Sequence, residues 1–143
     1  MKIQDIMSFL ETIAPPSLQE SYDNSGLLTG DPSWECTGAI TTLDATEAVV
    51  QEAIDAGYNL IVAHHPIIFS GLKKITGKNY VERTVIAAIK NDIAIYAIHT
   101  NLDNVIGGVN GMIADKLGLT DRSILSTKKN ILKNYIRMFP SPI

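Results

Sequence analysis

Cysteine is nearly absent from this chain. Cys36 stands alone among 143 residues, so neither an internal disulfide nor a cysteine-rich zinc site can form within one copy. A reducing compartment, the cytoplasm, is the expected setting. An excess of positive charge is missing too: 12 lysines and arginines against 15 aspartates and glutamates leave a net charge of -3, with the signs interleaved. No basic face is therefore available to neutralise nucleic-acid phosphates, and nucleic acid is not expected as a partner. The one basic cluster, Lys128, Lys129 and Lys133, reads as a solvated face near the C-terminus. No apolar run approaches the roughly 20 residues of a membrane span. Asp5 and Glu11 interrupt the N-terminal apolar stripe, and no small-residue cleavage site follows it, which argues against a signal peptide. Low-complexity linkers and internal repeats are also lacking. With 45% apolar and 19% charged residues, the balance is that of a folded domain around a single core.

What is present is a regular alternation of elements. Ile3, Ile6, Met7, Leu10 and Ile13 fall at helical spacing and Pro15-Pro16 forbids continuation, which predicts a helix over 2–14. Tyr22-Asp23-Asn24-Ser25-Gly26 is rich in turn formers and leads into a short strand at 27–29. Three strand-then-helix units follow. Strand 39–43 precedes a helix over 46–56 that Gly57 ends; strand 58–63, almost wholly apolar, precedes a helix over 80–90; strand 93–98 precedes a helix over 109–117 that Gly118 ends. Such alternation implies right-handed crossovers. The expected architecture is an α/β fold with three layers, a mainly parallel sheet flanked by helices on both faces. Ligands of such sheets bind beyond the carboxyl ends of the strands.

At those ends the chemistry collects. The first unit's strand ends in Leu43-Asp44, the second in Ala63-His64-His65-Pro66, and the third runs into His99-Thr100-Asn101-Leu102-Asp103, so all three histidines of the protein share this set. Imidazole nitrogens and carboxylate oxygens are the usual ligands of Zn²⁺, Fe²⁺ and Mn²⁺. Adjacent histidines leaving a strand project to different sides, so His64 and His65 could serve two different metals, which a carboxylate such as Asp103 could bridge. His99 reads as a supporting group or a base. A hydrogen-bonded structural histidine is the competing reading for each ring. Asp44 precedes Glu47 by three, the spacing of a helix-capping box, and a capping role is preferred for it. Cys36 and Trp34 read as packing residues. The apolar loop Pro66–Phe69 either lines a pocket or packs at a subunit contact.

The stretches Glu20–Leu28, Leu43–Thr46, Leu60–Phe69 and His99–Asp103 with Gly108–Asn110 resemble, in order, those of the NIF-three-like family. Its bacterial members are often named as homologues of GTP cyclohydrolase I type 2. The resemblance covers residues 1–125 and leaves 126–143 as a tail. It implies a two-metal centre in which His64, His65 and Asp103 are ligands of two divalent ions (Zn, Fe, Mn or Mg), with His99 and the Tyr22–Asn24 loop nearby; His99 is then the expected catalytic group, as a proton carrier. It also implies metal-dependent hydrolysis of a small nucleotide-like substrate and a homo-oligomer, typically a ring of six.

The chain departs from the family pattern in one respect. The family adds a histidine and a glutamate, four residues apart, near the end of a chain roughly a hundred residues longer; here no histidine follows His99 and no glutamate follows Glu82. Water or another chain would have to supply the missing donors, and a non-catalytic metal-binding or interaction module is the alternative function. Leu132–Pro140 also departs from the family's continuation. Reading the codons one base earlier permits Lys-Lys-Leu-Tyr-Ser-Tyr-Val-Pro-Glu there, which predicts a frameshifted or shortened form of a longer protein.

Overall fold

The structure, a computed structural model, describes residues 1–124 and 136–139. The N-terminal apolar stripe forms helix α1 (Ile3–Ile13), after which the two prolines turn the chain through a short 3-10 segment at Pro16–Leu18. Strands β1 (Gly26–Thr29), β2 (Ala39–Asp44), β3 (Leu60–His65) and β4 (Ala94–Ala97) form one sheet in the order β1-β4-β3-β2. β2, β3 and β4 run parallel, and β1 adds an antiparallel edge to β4. Helices α2 (Glu47–Ala56) and α3 (Tyr80–Lys90) make the two crossovers. Beyond β4 come a single helical turn α4 (Thr100–Asp103), helix α5 (Val109–Lys116) and strand β5 (Thr120–Ile124). β5 pairs antiparallel with β6 (Ile136–Phe139) in a separate two-stranded sheet. The boundary at 125–126 and the lysines Lys128, Lys129 and Lys133 lie outside the described residues.

The continuous apolar runs of β3 and β4 are explained by burial on both faces of the sheet. Successive residues of a strand point to opposite sides. Ile61, Ala63, Ile93 and Ile95 accordingly join Val50 and Ala53 of α2 and Ala88 of α3 in one core. Leu60, Ala94, Tyr96 and Ile98 join Ile3 of α1 and Ala14 in the other, with Leu10, Leu102 and Val105 packed against it. The result is the expected three-layer α/β arrangement, with β3 and β4 in the middle of the sheet.

Helix ends follow local chemistry. Gly57 closes α2 at φ 69°, a backbone that favours glycine. The N-terminus of α2 corrects the sequence reading: Thr46, not Asp44, is the cap, its hydroxyl accepting from the Val49 N–H at 3.3 Å. β2 extends through Asp44, one residue beyond the prediction, so the helix starts later and Asp44 is left free for another partner. At α3, the Asn79 side chain accepts from the Glu82 N–H at 2.9 Å. The Glu82 carboxylate in turn accepts from the Thr76 and Lys78 N–H groups and the Thr76 hydroxyl, each at 2.9 Å, closing the preceding loop onto the helix.

Candidate metal centre

Because β2, β3 and β4 are adjacent and parallel, their carboxyl ends fall on one edge. Asp44 stands opposite His65 in the β2–β3 register, and β4 delivers His99 two residues past its end. The three imidazole rings gather there: ring centroids lie 5.0 Å apart for His64 and His65, 5.2 Å for His64 and His99, and 5.6 Å for His65 and His99. One ring nitrogen from each lies within 4.8 Å of the other two.

Each ring is held through its Nδ1. His64 Nδ1 donates to the Ile98 carbonyl at 2.9 Å, His65 Nδ1 to Asp44 Oδ1 at 2.8 Å, and His99 Nδ1 to Asp23 Oδ1 at 2.8 Å. A carbonyl or a carboxylate only accepts, so these bonds assign the proton to Nδ1 and the lone pair to Nε2. A carboxylate or carbonyl behind an imidazole is the arrangement that fixes a metal-binding histidine. The donor set therefore fits a borderline divalent ion. Asp103 lies beside the cluster, with Oδ1 3.8 Å from His64 Nε2.

The turn that carries His99 and Asp103 is pinned by its own polar side chains. Asn101, almost fully buried, accepts from the His99 N–H at 2.9 Å and donates to the Ala14 carbonyl at 2.8 Å. Asn104 donates to the Leu18 carbonyl at 2.8 Å, and Asn110 to the Asp103 carbonyl at 2.9 Å. Asp23, whose side chain is wholly enclosed, also accepts from the Thr100 N–H at 3.1 Å, the Thr100 hydroxyl and the Ser25 hydroxyl at 2.8 Å. Burial acts to raise the Asp23 pKa, but the bonds from His99, Thr100, Ser25 and the Asn24 N–H outweigh it and hold the carboxyl at about 2. The carboxylate is thus ionised at any pH near neutrality.

A cleft of about 730 Å³ opens beside His65 and His99. Ile67, Phe69, Leu72 and Tyr80 give it an apolar wall, and Asp44, Thr46, Ser70 and Asn79 supply polar groups. The Phe69 ring meets His99 edge-on at 6.4 Å. The loop Pro66–Phe69 thus contributes to a pocket wall, one of the two roles the sequence left open.

Of the residues singled out in the sequence, His64, His65 and His99 come together and Asp103 adjoins His64. Two partners were underread. Asp44 had been given to the helix cap, yet it braces His65; Asp23 was only placed in a nearby loop, yet it braces His99. Strand register carried a signal for Asp44, since it ends β2 where His65 ends β3. None connected Asp23 to a residue 76 positions away.

Comparisons with known proteins bear on the family and the fold. A GTP cyclohydrolase 1 type 2 homolog of Staphylococcus aureus is 44% identical over 131 residues, 92% of this chain and 36% of that protein. The homolog of Staphylococcus epidermidis is 42% identical over 147 aligned positions, 97% of this chain and 40% of that protein. The chain thus spans well under half the length of these relatives. Among solved structures, a Bacillus cereus protein related to NIF3 superposes with a TM-score of 0.84 at 41% identity, over 90% of this chain and 35% of that one. Reduced HcgD from Methanocaldococcus jannaschii gives 0.81 at 31% identity, over 88% and 50%. The Duf34/NIF3 (NGG1p interacting factor 3) family model matches residues 1–140, beyond the 1–125 over which the motifs were recognised, and the chain belongs to that family.

Proposed function

We propose that this chain is a divalent-metal-binding domain whose centre lies at the carboxyl edge of β2, β3 and β4, and that in a complete assembly it serves metal-dependent hydrolysis. One observation carries the reading: three imidazoles from two strand ends converge, each with Nδ1 tied back and Nε2 left as a donor. His64 and His65, with Asp103 alongside, would hold the ion. When bound, a divalent cation polarises substrate oxygens and brings the pKa of a coordinated water to about 7. His99 is placed to take up and pass on a proton through Nε2, while Asp23 behind it stabilises the charge. A two-ion centre, as the family resemblance implies, needs donors that the described residues do not hold, so a neighbouring chain in a homo-oligomer, six-membered by that resemblance, would complete it.

The cleft supports a small substrate carrying a flat ring, held against Phe69 and Tyr80. The GTP cyclohydrolase name borne by relatives makes a nucleotide the first substrate to try, in the cytoplasm, where the lone cysteine stays reduced. Among the described residues, no lysine or arginine lines the cleft, so phosphates would be neutralised by metal or by groups beyond its lining.

Elemental analysis of protein purified without chelator tests the reading, for wild type and for His64→Ala/His65→Ala. Metal retained by wild type and lost by the variant supports it, and nucleotide turnover abolished by His65→Ala extends it to catalysis. Little or no metal in both, with a defined oligomer preserved, would favour the alternative of a non-catalytic interaction module, for which the exposed apolar residues Ile106, Met112, Ile113 and Leu117 provide a surface.

A further inference from the structure

We propose that the segment between Leu72 and Asn79 is an anion-binding rim of the cleft, where Lys73, Lys74 and Lys78 take the phosphate chain of a substrate whose ring lies against Phe69 and Tyr80. The inference rests on the reading of the cleft as a small-molecule site and names the part of the molecule that anchors it there. Leu72 and Asn79 both line the cleft, so the chain leaves its wall at one and rejoins it at the other. The stretch between them, Lys73-Lys74-Ile75-Thr76-Gly77-Lys78, is half lysine, and no aspartate or glutamate occurs from Pro66 to Val81. In a chain of net charge -3 this is a local reversal of sign at the mouth of a cavity.

Pairing and backbone give the reversal a use. All three lysines are exposed, and among the described residues none of them forms an ion pair. The acids in or next to the cleft wall are already engaged: Asp44 accepts from His65 at 2.8 Å, Glu47 from Arg83 at 3.0 Å, and Glu82 from the loop itself. Glu82 also fixes the main chain that carries the lysines. Its carboxylate accepts from the Thr76 and Lys78 N–H groups at 2.9 Å, and Gly77 turns between them at φ 80°, a backbone that favours glycine. The loop is thereby set before a ligand arrives, which lowers the ordering cost of binding. An ammonium group is a compact charge on a long flexible stem, suited to the several oxygens of a phosphate chain. Lysines that only solvated the loop would be indifferent to what the cleft holds.

Isothermal titration calorimetry of the metal-stripped full chain tests this, with GTP, guanosine and inorganic tripolyphosphate as probes and amide NMR to locate each. Wild type should bind GTP at least about tenfold more tightly than guanosine, and added salt should narrow the gap. Lys73→Gln/Lys74→Gln/Lys78→Gln keeps the main-chain N–H groups that Glu82 accepts from. Folded by its circular-dichroism spectrum, it should lose at least about tenfold in GTP affinity while guanosine stays within about twofold of wild type. GTP bound by the variant within about twofold of wild type, or by wild type no more tightly than guanosine, overturns the rim and leaves the cleft as a ring-binding site. Tripolyphosphate bound as tightly as GTP, with the Phe69 and Tyr80 amides unmoved by GTP, makes the lysines a general anion patch and overturns their link to the cleft. If neither GTP nor guanosine binds, the small-molecule reading of the cleft falls and the rim falls with it.

Discussion

Asp23 joins three parts of the chain through one carboxylate: the turn-rich loop it belongs to, the His99 ring and the start of α4. Its pKa of about 2 lies below the unfolded value of 3.8, so the folded state prefers the ionised form. That contribution is complete above about pH 4 and is lost as pH falls towards 2; the shift corresponds to on the order of 2 kcal/mol. In urea unfolding of metal-free protein between about pH 5 and pH 2, wild type should lose this increment and Asp23→Asn should not show it. Asn101 acts on the same turn from the opposite side, bonding the His99 N–H and the Ala14 carbonyl while almost fully buried. Asn101→Ala leaves both groups without that partner and should cost about 1–3 kcal/mol in the same assay. It should also weaken any metal binding by releasing the turn that carries His99 and Asp103.

At the scale of elements, the site depends on where strands stop. The parallel pairing of β2 with β3 sets Asp44 against His65, and the pairing of β3 with β4 brings His99 to the same edge. The cleft wall is organised differently, by a loop closed onto a helix. Glu82 gathers the Thr76 and Lys78 N–H groups and the Thr76 hydroxyl, and those of Lys78 and Thr76 hold its carboxyl below the usual glutamate range. Glu82→Ala removes those acceptors while α3 keeps its Asn79 cap. Amide hydrogen exchange should therefore quicken at Thr76 and Lys78, with the amides of β3 and β4 unchanged. Equal acceleration through the sheet would show instead that the loop and the core open as one unit.

Across the whole molecule, two cores share one sheet, so each side chain of β3 or β4 packs into one core while its backbone belongs to the sheet common to both. Ile95 is fully buried in the core that α2 and α3 cover. Ile95→Ala should destabilise the chain by about 2–5 kcal/mol in chemical denaturation, with any metal binding falling in step because the strand ends that carry the candidate ligands depend on the sheet. A smaller loss would mean that α2 and α3 can close over the gap. The structure also accounts for the family's motifs. Beside the candidate ligands, Thr100, Asn101 and Asn104 tie the α4 turn to Asp23, Ala14 and Leu18.

Much of this was legible along the chain. Helix α3 lies where the spacing of apolar residues put it, α1 is shorter than predicted by one residue at each end and α2 by one at its start, and the buried strands announced themselves as apolar runs, because periodicity and burial are local in sequence. The three histidines were readable as one group because alternation of strands and helices already implies a parallel sheet with its ends on one edge. What acts behind them was not. Asp44 carried two local meanings, cap or strand end, and only the length of β2 chose between them. Asp23 reaches His99 by a side-chain bond across 76 positions, and no spacing rule spans that distance. Residue types and their order determined the fold class and the donor atoms; which nitrogen of each ring faces the centre was decided by tertiary structure, because that depends on acceptors contributed by other segments.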